Sequence, residues 1–453
     1  MERTRIDKLR SLLKHPESLV TDPAALEDYH HDATALSSTA DVLLMAQSVE
    51  DIRAAVRFCA SESIPVTARG AGTGLSGGCL VTPGGLLMSI EKMRDLQVLS
   101  GRRMAICEPG VITKDLMDAA AEVGLTYPPD PASYEESSLG GNVAENAGGL
   151  RCKRFGVTKD YVIGLEAVLP DGSLLKTGVF NEGRGFALGD LLIGSEGTLG
   201  LITRIAVRLI PQPGRGETIL IAFDRPEDAA RTVTAINGGG IIPTVMEFLD
   251  GDAAACSNEY EKSDDFDRVA ALLLIETSDS DSSGQSGAIR EICDKNRCSL
   301  FRCETDPKRA EKLWKVRRNL SNAVKALAGL RVSEDVAVPN SRFPALVAFV
   351  ARMNEQSTLR INSYGHAGDG NLHVNFMAAH DTPASRAEVE RWVDVLMNET
   401  LKLDGTLTGE HGIGLAKKKY VALEFDRPTL DVMRVVKTIV DPSYQFNPDK
   451  LLP

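Results

Sequence analysis

The sequence predicts an α+β protein of at least two domains, the second built around an antiparallel sheet. Three observations predict this. The 453 residues exceed the size at which one hydrophobic core stops growing. From Val42 to about Leu209, short β-rich runs alternate with short helical patterns. Beyond the Pro/Gly-dense "IPQPGRGET" the order becomes strand, helix, strand, strand, helix, the signature of a second α+β unit.

In chain order, "RIDKLRSLLK" is an amphipathic helix within an N-terminal cover, residues 1–40. "DVLLMAQ" reads as a strand, and "SVEDIRAAVRFCASES" as a helix with Ser48 at the N-cap and Asp51 as the capping-box acid. "IPVTARG", "LLMSIEKM", "MAICEPGV", "VIGLEAVLPDGSLLKTG" and "LGLITRIAVRLIP" continue the strands. "ITKDLMDAAAEVG" is a helix between them, closed by Gly124. These elements form the first domain, residues 41–213. The second, residues 214–415, opens with the strand "ETILIAF" and the helix "PEDAARTVTAING". The strands "TVMEFLD" and "VAALLLIET", a polar loop "TSDSDSSGQSG", the helix "SGAIREICDKN" and a long helix from about Asp306 to Leu330 follow. Residues 416–453 end in the Pro-punctuated "IVDPSYQFNPDKLLP", a non-helical segment expected to return to the first domain.

Composition narrows the function classes. Apolar residues at 43% and charged residues at 25% suit a globular enzyme, and a formal charge of −12 argues against nucleic acid. Eight cysteines without a CxxC pair read as reduced thiols, and no CxxCxxCxxxCP run is present to hold an iron–sulfur cluster. No segment offers about 20 consecutive apolar residues, and the N-terminus has no apolar signal core. The expected location is cytoplasmic.

"RGAGTGLSGG" matches GxGxxG at Gly72, Gly74 and Gly77. A dinucleotide fingerprint needs a helix opening directly from the loop, and "LSGGCLVTPGG" holds too many breakers to form one. Glycine-exposed backbone N–H groups can still cradle an anion; a ligand-free glycine hairpin is the plain alternative. Two further glycine-rich stretches, "SSLGGNVAENAGG" and "IGSEGTLGLIT", suggest one extended ligand lying across backbone.

"PVTARGAGTGLSGG", "YPPDP", "GGNVAENAGG" and "GSEGTLGLIT" resemble the flavin-binding domain of the vanillyl-alcohol oxidase/PCMH superfamily. The resemblance implies a PCMH-type FAD-binding domain of two α+β subdomains, with the first loop around the pyrophosphate. It assigns FAD to Arg69, Gly70, Ala71, Gly72, Thr73, Gly74 and Leu75 of that loop. It adds Pro131, then Ser138, Gly141, Asn142, Ala144, Asn146 and Gly148, then Glu196, Gly197, Gly200 and Ile202, and finally Asn447. The first loop lacks a histidine, so the expected FAD is non-covalent.

"YGHAGDGNLHVNF" places His366 and His373 seven apart, which would suit one helix face had Gly365, Gly368 and Gly370 not forbidden the helix. A tight turn into the strand "LHVNF" is expected instead, folding the histidines towards each other, with Asn375 on the face of His373. Two histidines and a carboxylate such as Glu410 suit a divalent metal, although surface histidines on a turn are the commoner case. His380 and the "YHHD" at Tyr29 to Asp32 read as surface or structural. In "PKRAEKLWKVRRNLSNAVKALAGL", Arg317 falls within the apolar stripe Leu313, Leu320, Val324 and Leu327, while Arg318 should face solvent. A guanidinium there needs an anion, either a core carboxylate in an ion pair or a substrate carboxylate held by a bidentate clamp.

"YGHAGDGNLHVN", "TGEHGIGLAKKKY" and "DPSYQFNPDKLLP" resemble the FAD-linked D-2-hydroxy acid dehydrogenases, a family that includes D-lactate dehydrogenase, D-2-hydroxyglutarate dehydrogenase and a component of glycolate oxidase. The resemblance implies His366, His373 and Glu410 as ligands of zinc or manganese, and His411 as the catalytic base. It supports Arg317 as the substrate clamp; Asn375, from its place on the face of His373, is expected to orient the substrate. "RVSEDVAVP" carries Ser333 where relatives acting on 2-hydroxyglutarate tend to have lysine, which favours a small substrate. The implied reaction is FAD-dependent oxidation of glycolate or a D-lactate-like acid to the 2-keto acid. Electrons would pass to an iron–sulfur subunit, an electron-transfer flavoprotein or a quinone; a homodimer and peripheral membrane association are both compatible with the sequence. The alternatives are a flavin-binding accessory subunit of an oxidase or a non-redox flavin-dependent transferase.

Overall fold

The computed structural model describes every residue except 83, 263–265 and 267–268. The chain divides into two compact units. The first comprises Met1–Gly148, Val157–Gln212 and Glu410–Pro453; the second comprises Gly149–Gly156 and Pro213–Gly409.

The first unit holds strands β1 (Leu19–Val20), β2 (Val42–Met45), β3 (Val66–Arg69), β4 (Leu86–Ser89), β5 (Leu96–Leu99), β6 (Met104–Cys107), β7 (Leu125–Thr126), β8 (Val162–Val168), β9 (Leu174–Lys176), β10 (Leu201–Arg208) and β11 (Ile210–Pro211). One sheet runs β1-β2-β4-β3, with β2, β4 and β3 parallel. Parallel strands are buried on both faces, which is why "VLLM" and "LLMS" are almost wholly apolar. Alternation still sorts their side chains. Val42, Leu44, Leu86 and Met88 pack with Ile52, Val56 and Phe58, whereas Leu43 and Leu87 pack with Leu26 and Val81. The second sheet is antiparallel, β5-β6-β10-β8-β9, and β11 pairs with β7.

Ser48 caps the helix Val49–Glu62, its Oγ accepting from the Asp51 N–H. The expected capping box differs in detail. The Asp51 carboxylate accepts from the Ser48 hydroxyl, and also from the N–H groups of Lys14 and His15 and from His15 Nδ1, so it pins the N-terminal segment to the cap. Burial alone would raise its pKa, but the hydrogen bonds from His15, Ser48 and Lys14 hold it below the usual range.

The second unit is built on one seven-stranded antiparallel sheet. Its strands are β12 (Thr218–Phe223), β13 (Val245–Asp250), β14 (Ala271–Glu276), β15 (Cys298–Glu304), β16 (Leu330–Ala337), β17 (Arg360–Gly365) and β18 (Asn371–Ala378). The spatial order is β15-β12-β14-β13-β17-β18-β16. On one face, Leu220, Leu249, Leu272 and Leu274 pack with Ala253, Leu313, Trp314, Leu320 and Val324 from three helices. The long helix expected from Asp306 to Leu330 is two helices, Pro307–Arg318 and Leu320–Ala326. Asn319 ends the first, and its side chain donates to Glu261 Oε1; asparagine favours such side-chain bonds over helix interiors. Leu330 instead opens β16. The polar stretch expected as a loop is helical from Ser282 onward.

Candidate active site

In the first unit the three glycine-rich stretches meet. The first follows β3 directly into a bend, with no helix before β4 among the described residues. Its tip, Ala71 to Leu75, is exposed or half-buried. Gly72 has φ +76°, and a Cβ there would lie 2.2 Å from Arg69 Nη2. Arg69 itself donates to the His31 carbonyl and stacks on Tyr29, while Asp32 accepts from the Gly77 N–H. "YHHD" therefore supports the loop through a backbone carbonyl and a carboxylate.

The second stretch, expected as a loop, contains the helix Leu139–Glu145, capped by Ser138 and ended by Asn146 at φ +53°. Its glycines permit close packing. A Cβ on Gly140 would meet Pro109 at 2.6 Å, and a Cβ on Gly70 would meet Ser138 Oγ at 2.3 Å. The Asn142 amide donates to Thr113 Oγ1, and Asn146 Oδ1 accepts from the Lys159 N–H. The Val143 and Ala144 carbonyls accept from the N–H groups of Gly194 and Glu196, which joins this helix to the third stretch. Asn447 Nδ2 donates to the Gly78 and Glu196 carbonyls, tying the first stretch to the third. Pro131, Gly148, Gly200 and Ile202 are buried around these turns. A cradle of positive-φ glycines with an open tip fits a phosphate-bearing cofactor such as FAD.

Two carboxylates underpin this region. Glu196 accepts from the N–H groups of Ile413 and Gly414, and so holds the turn that follows His411. Glu145 accepts from Ser76 Oγ, and a Cβ on Gly412 would lie 2.3 Å from its Oε2. Burial raises the Glu145 pKa well above the usual range, and the neighbouring Glu196 charge raises it further. Where the native Glu145 keeps a proton that the unfolded chain has lost, stability falls as pH rises. The variant Glu145→Gln should therefore melt about 2–4 °C above the parent at pH 8, a gap that closes below about pH 4. Thermal melts of the FAD-loaded protein across pH check this. A pH-independent gap would show that the charge is not the cause.

In the second unit, β17 and β18 form a hairpin in which Tyr364 pairs with His373. The turn Ala367–Asp369 ends at Gly370, φ +73°, where a Cβ would strike the Val338 carbonyl at 2.0 Å. This turn brings the His366 and His373 rings to 5.2 Å, perpendicular to each other. Asp335, the register partner of His373, accepts from Thr408 Oγ1 and from the Gly409 N–H. It thereby fixes the backbone one peptide bond before Glu410. Both histidines are buried, and Glu410, at the start of the last segment of the first unit, is half-buried. Two imidazoles and one carboxylate suit zinc or manganese.

Arg317 is 3% exposed, as its place in an apolar stripe predicts. Its Nη2 lies 2.5 Å from Glu247 Oε2, and its guanidinium stacks on Tyr364 at 4.9 Å. A core carboxylate thus meets it, while its buried Nε–H has no partner among the described residues, an arrangement that costs about 1–3 kcal/mol unless a ligand accepts. Arg318 is partly exposed and pairs with Glu311. Asn375 shares a strand face with His373 and is fully buried; its amide accepts from Arg331 Nε and donates to Asn362. His380 is exposed. Glu247 and Asp335 were not singled out from the sequence. The one signal for Glu247 is an acid amid the apolar residues of "TVMEFLD".

Residues 40–178 match the family model described as an FAD binding domain, and residues 212–451 match that of the FAD linked oxidases, C-terminal domain. Glycolate oxidase subunit GlcD of Bacillus subtilis is 34% identical over 96% of this chain and 94% of its own length. D-lactate dehydrogenase of Anaerostipes hadrus is 32% identical over 98% and 96%. Among solved structures, p-cresol methylhydroxylase superposes with a TM-score of 0.80 at 16% identity, covering 97% of this chain and 94% of that one. An alkyldihydroxyacetonephosphate synthase superposes at 0.76 and 18%, covering 100% and 86%. At such identities these two show the fold alone.

Proposed function

The chain belongs to the FAD-linked oxidases and is a flavin-dependent oxidoreductase, and from that premise we propose that it oxidises a small D-2-hydroxy acid, glycolate or D-lactate in class, to the 2-keto acid. The observation that carries this reading is the pairing of the buried His366 and His373 on one hairpin, to which Glu410 would add a carboxylate. The unit that holds the two histidines also buries the cation of Arg317.

Bound FAD supplies the acceptor for the two electrons that leave with the Cα hydrogen. The glycine cradle at Arg69 to Leu75, the helix-bearing stretch 138–148 and the turn at 194–200 would hold it non-covalently. A divalent ion on His366, His373 and Glu410 supplies Lewis acidity towards the substrate hydroxyl. Arg317 anchors the substrate carboxylate through N–H groups other than the one directed at Glu247. His411 takes the hydroxyl proton on a ring nitrogen. Asn375 keeps the strand face beside His373 polar and ordered through Arg331 and Asn362. The two electrons would pass on to an acceptor outside this chain: an iron–sulfur subunit, an electron-transfer flavoprotein or a quinone. The relatives named as oxidase subunits favour such a partner. Among the described residues no helix is long and apolar enough to cross a membrane.

Anaerobic mixing with a panel of 2-hydroxy acids tests the reading. Glycolate or D-lactate should bleach the flavin absorbance, and L-lactate should not. Bleaching by none of the panel would overturn it.

A further inference from the structure

We infer that Glu247 is a positioning residue that couples the metal ligand His366 to the substrate clamp Arg317. The inference rests on the proposed metal-assisted oxidation. Its basis is sheet register. Phe248 pairs with Gly365 and Leu249 with Tyr364, so one further step sets Glu247 opposite His366, with both side chains on one face. Glu247 Oε1 lies 2.7 Å from His366 Nδ1, while Oε2 lies 2.5 Å from Arg317 Nη2. The carboxylate is fully buried between them.

Each of these contacts has a chemical consequence. An imidazole that donates its Nδ1–H to a carboxylate presents the Nε2 lone pair outward, in the tautomer a metal needs and with raised basicity. The same carboxylate neutralises a guanidinium that would otherwise be a lone buried charge. It also turns that guanidinium against Tyr364, whose ring lies 5.5 Å from His373. One side chain therefore sets the orientation of both groups. Glu247 lies outside the ligand group itself and acts through its neighbours.

The competing role is a plain core ion pair with Arg317, and metal affinity separates the two. Zn2+ affinity of the FAD-loaded protein is measured by competition with a chromophoric chelator. Glu247→Gln should weaken it about 10–100-fold, the usual effect of removing a carboxylate that orients a ligating histidine. The double variant Glu247→Gln/Arg317→Met removes both buried charges and serves if the single variant fails to fold. It should show the same weakening, whereas Arg317→Met alone should bind Zn2+ as the parent does. Parent-like affinity in the folded single or double variant would overturn the coupling. The inference and the reading beneath it fail differently. If His373→Ala binds Zn2+ as tightly as the parent, the metal site itself is wrong, whatever Glu247 does.

Discussion

The variant His373→Ala is expected to lose its divalent ion and its turnover together while keeping a parent-like flavin spectrum. Removal of a partner that only orients a ligand costs about 10–100-fold in metal affinity, so loss of a direct ligand should exceed about 100-fold. The separation of effects follows from where the residue sits. His373 belongs to β18 in the second unit, and the glycine cradle belongs to the first. Metal analysis after gel filtration and the visible spectrum give the two readouts independently. Retention of one ion per chain in the variant would remove His373 from the ligand set. Loss of flavin would mean that the substitution damages the fold more widely.

The second large effect is expected from His411→Asn, which should slow flavin reduction by about 10²–10⁴-fold, the usual contribution of a positioned base. Flavin binding and metal content should stay at parent levels. The backbone following His411 is held by Glu196 through the N–H groups of Ile413 and Gly414, a hold that the substitution leaves in place. Anaerobic stopped-flow reduction by the best substrate of the panel measures the rate directly. A reduction rate within a few-fold of the parent would assign proton removal to another group. Taken with His373→Ala, this variant separates loss of the ion from loss of the base.

Much of the fold was legible because its signals are local. Alternation and apolar runs marked the strands, and the breakers after Gly74 ruled out a dinucleotide-type helix. The superfamily fold expected from the glycine-rich stretches is the one observed. Local signals also misled. Gly140 and Gly141 read as loop residues, yet they lie in the helix Leu139–Glu145; a Cβ on Gly140 would strike Pro109 at 2.6 Å, so close packing there tolerates no side chain. The helix from Asp306 was drawn too long because Asn319 is a weak break in sequence and a strong one once it bonds to Glu261.

The site divides in the same way. By themselves the residues of "YGHAGDGNLH" established that no helix could carry both histidines, and the stripe around Arg317 established that a guanidinium would be buried. Only the tertiary structure decided what that guanidinium meets. Glu247 lies 119 residues from His366 in the chain, and strand register alone sets them opposite each other. Asp335 likewise reaches the Gly409 N–H across 74 residues, here by a side-chain hydrogen bond to a bend. Periodicity reports which face a side chain shares with its near neighbours, because that depends on the geometry of one element. It cannot report which strand lies alongside, because that choice is made by the burial of the whole sheet.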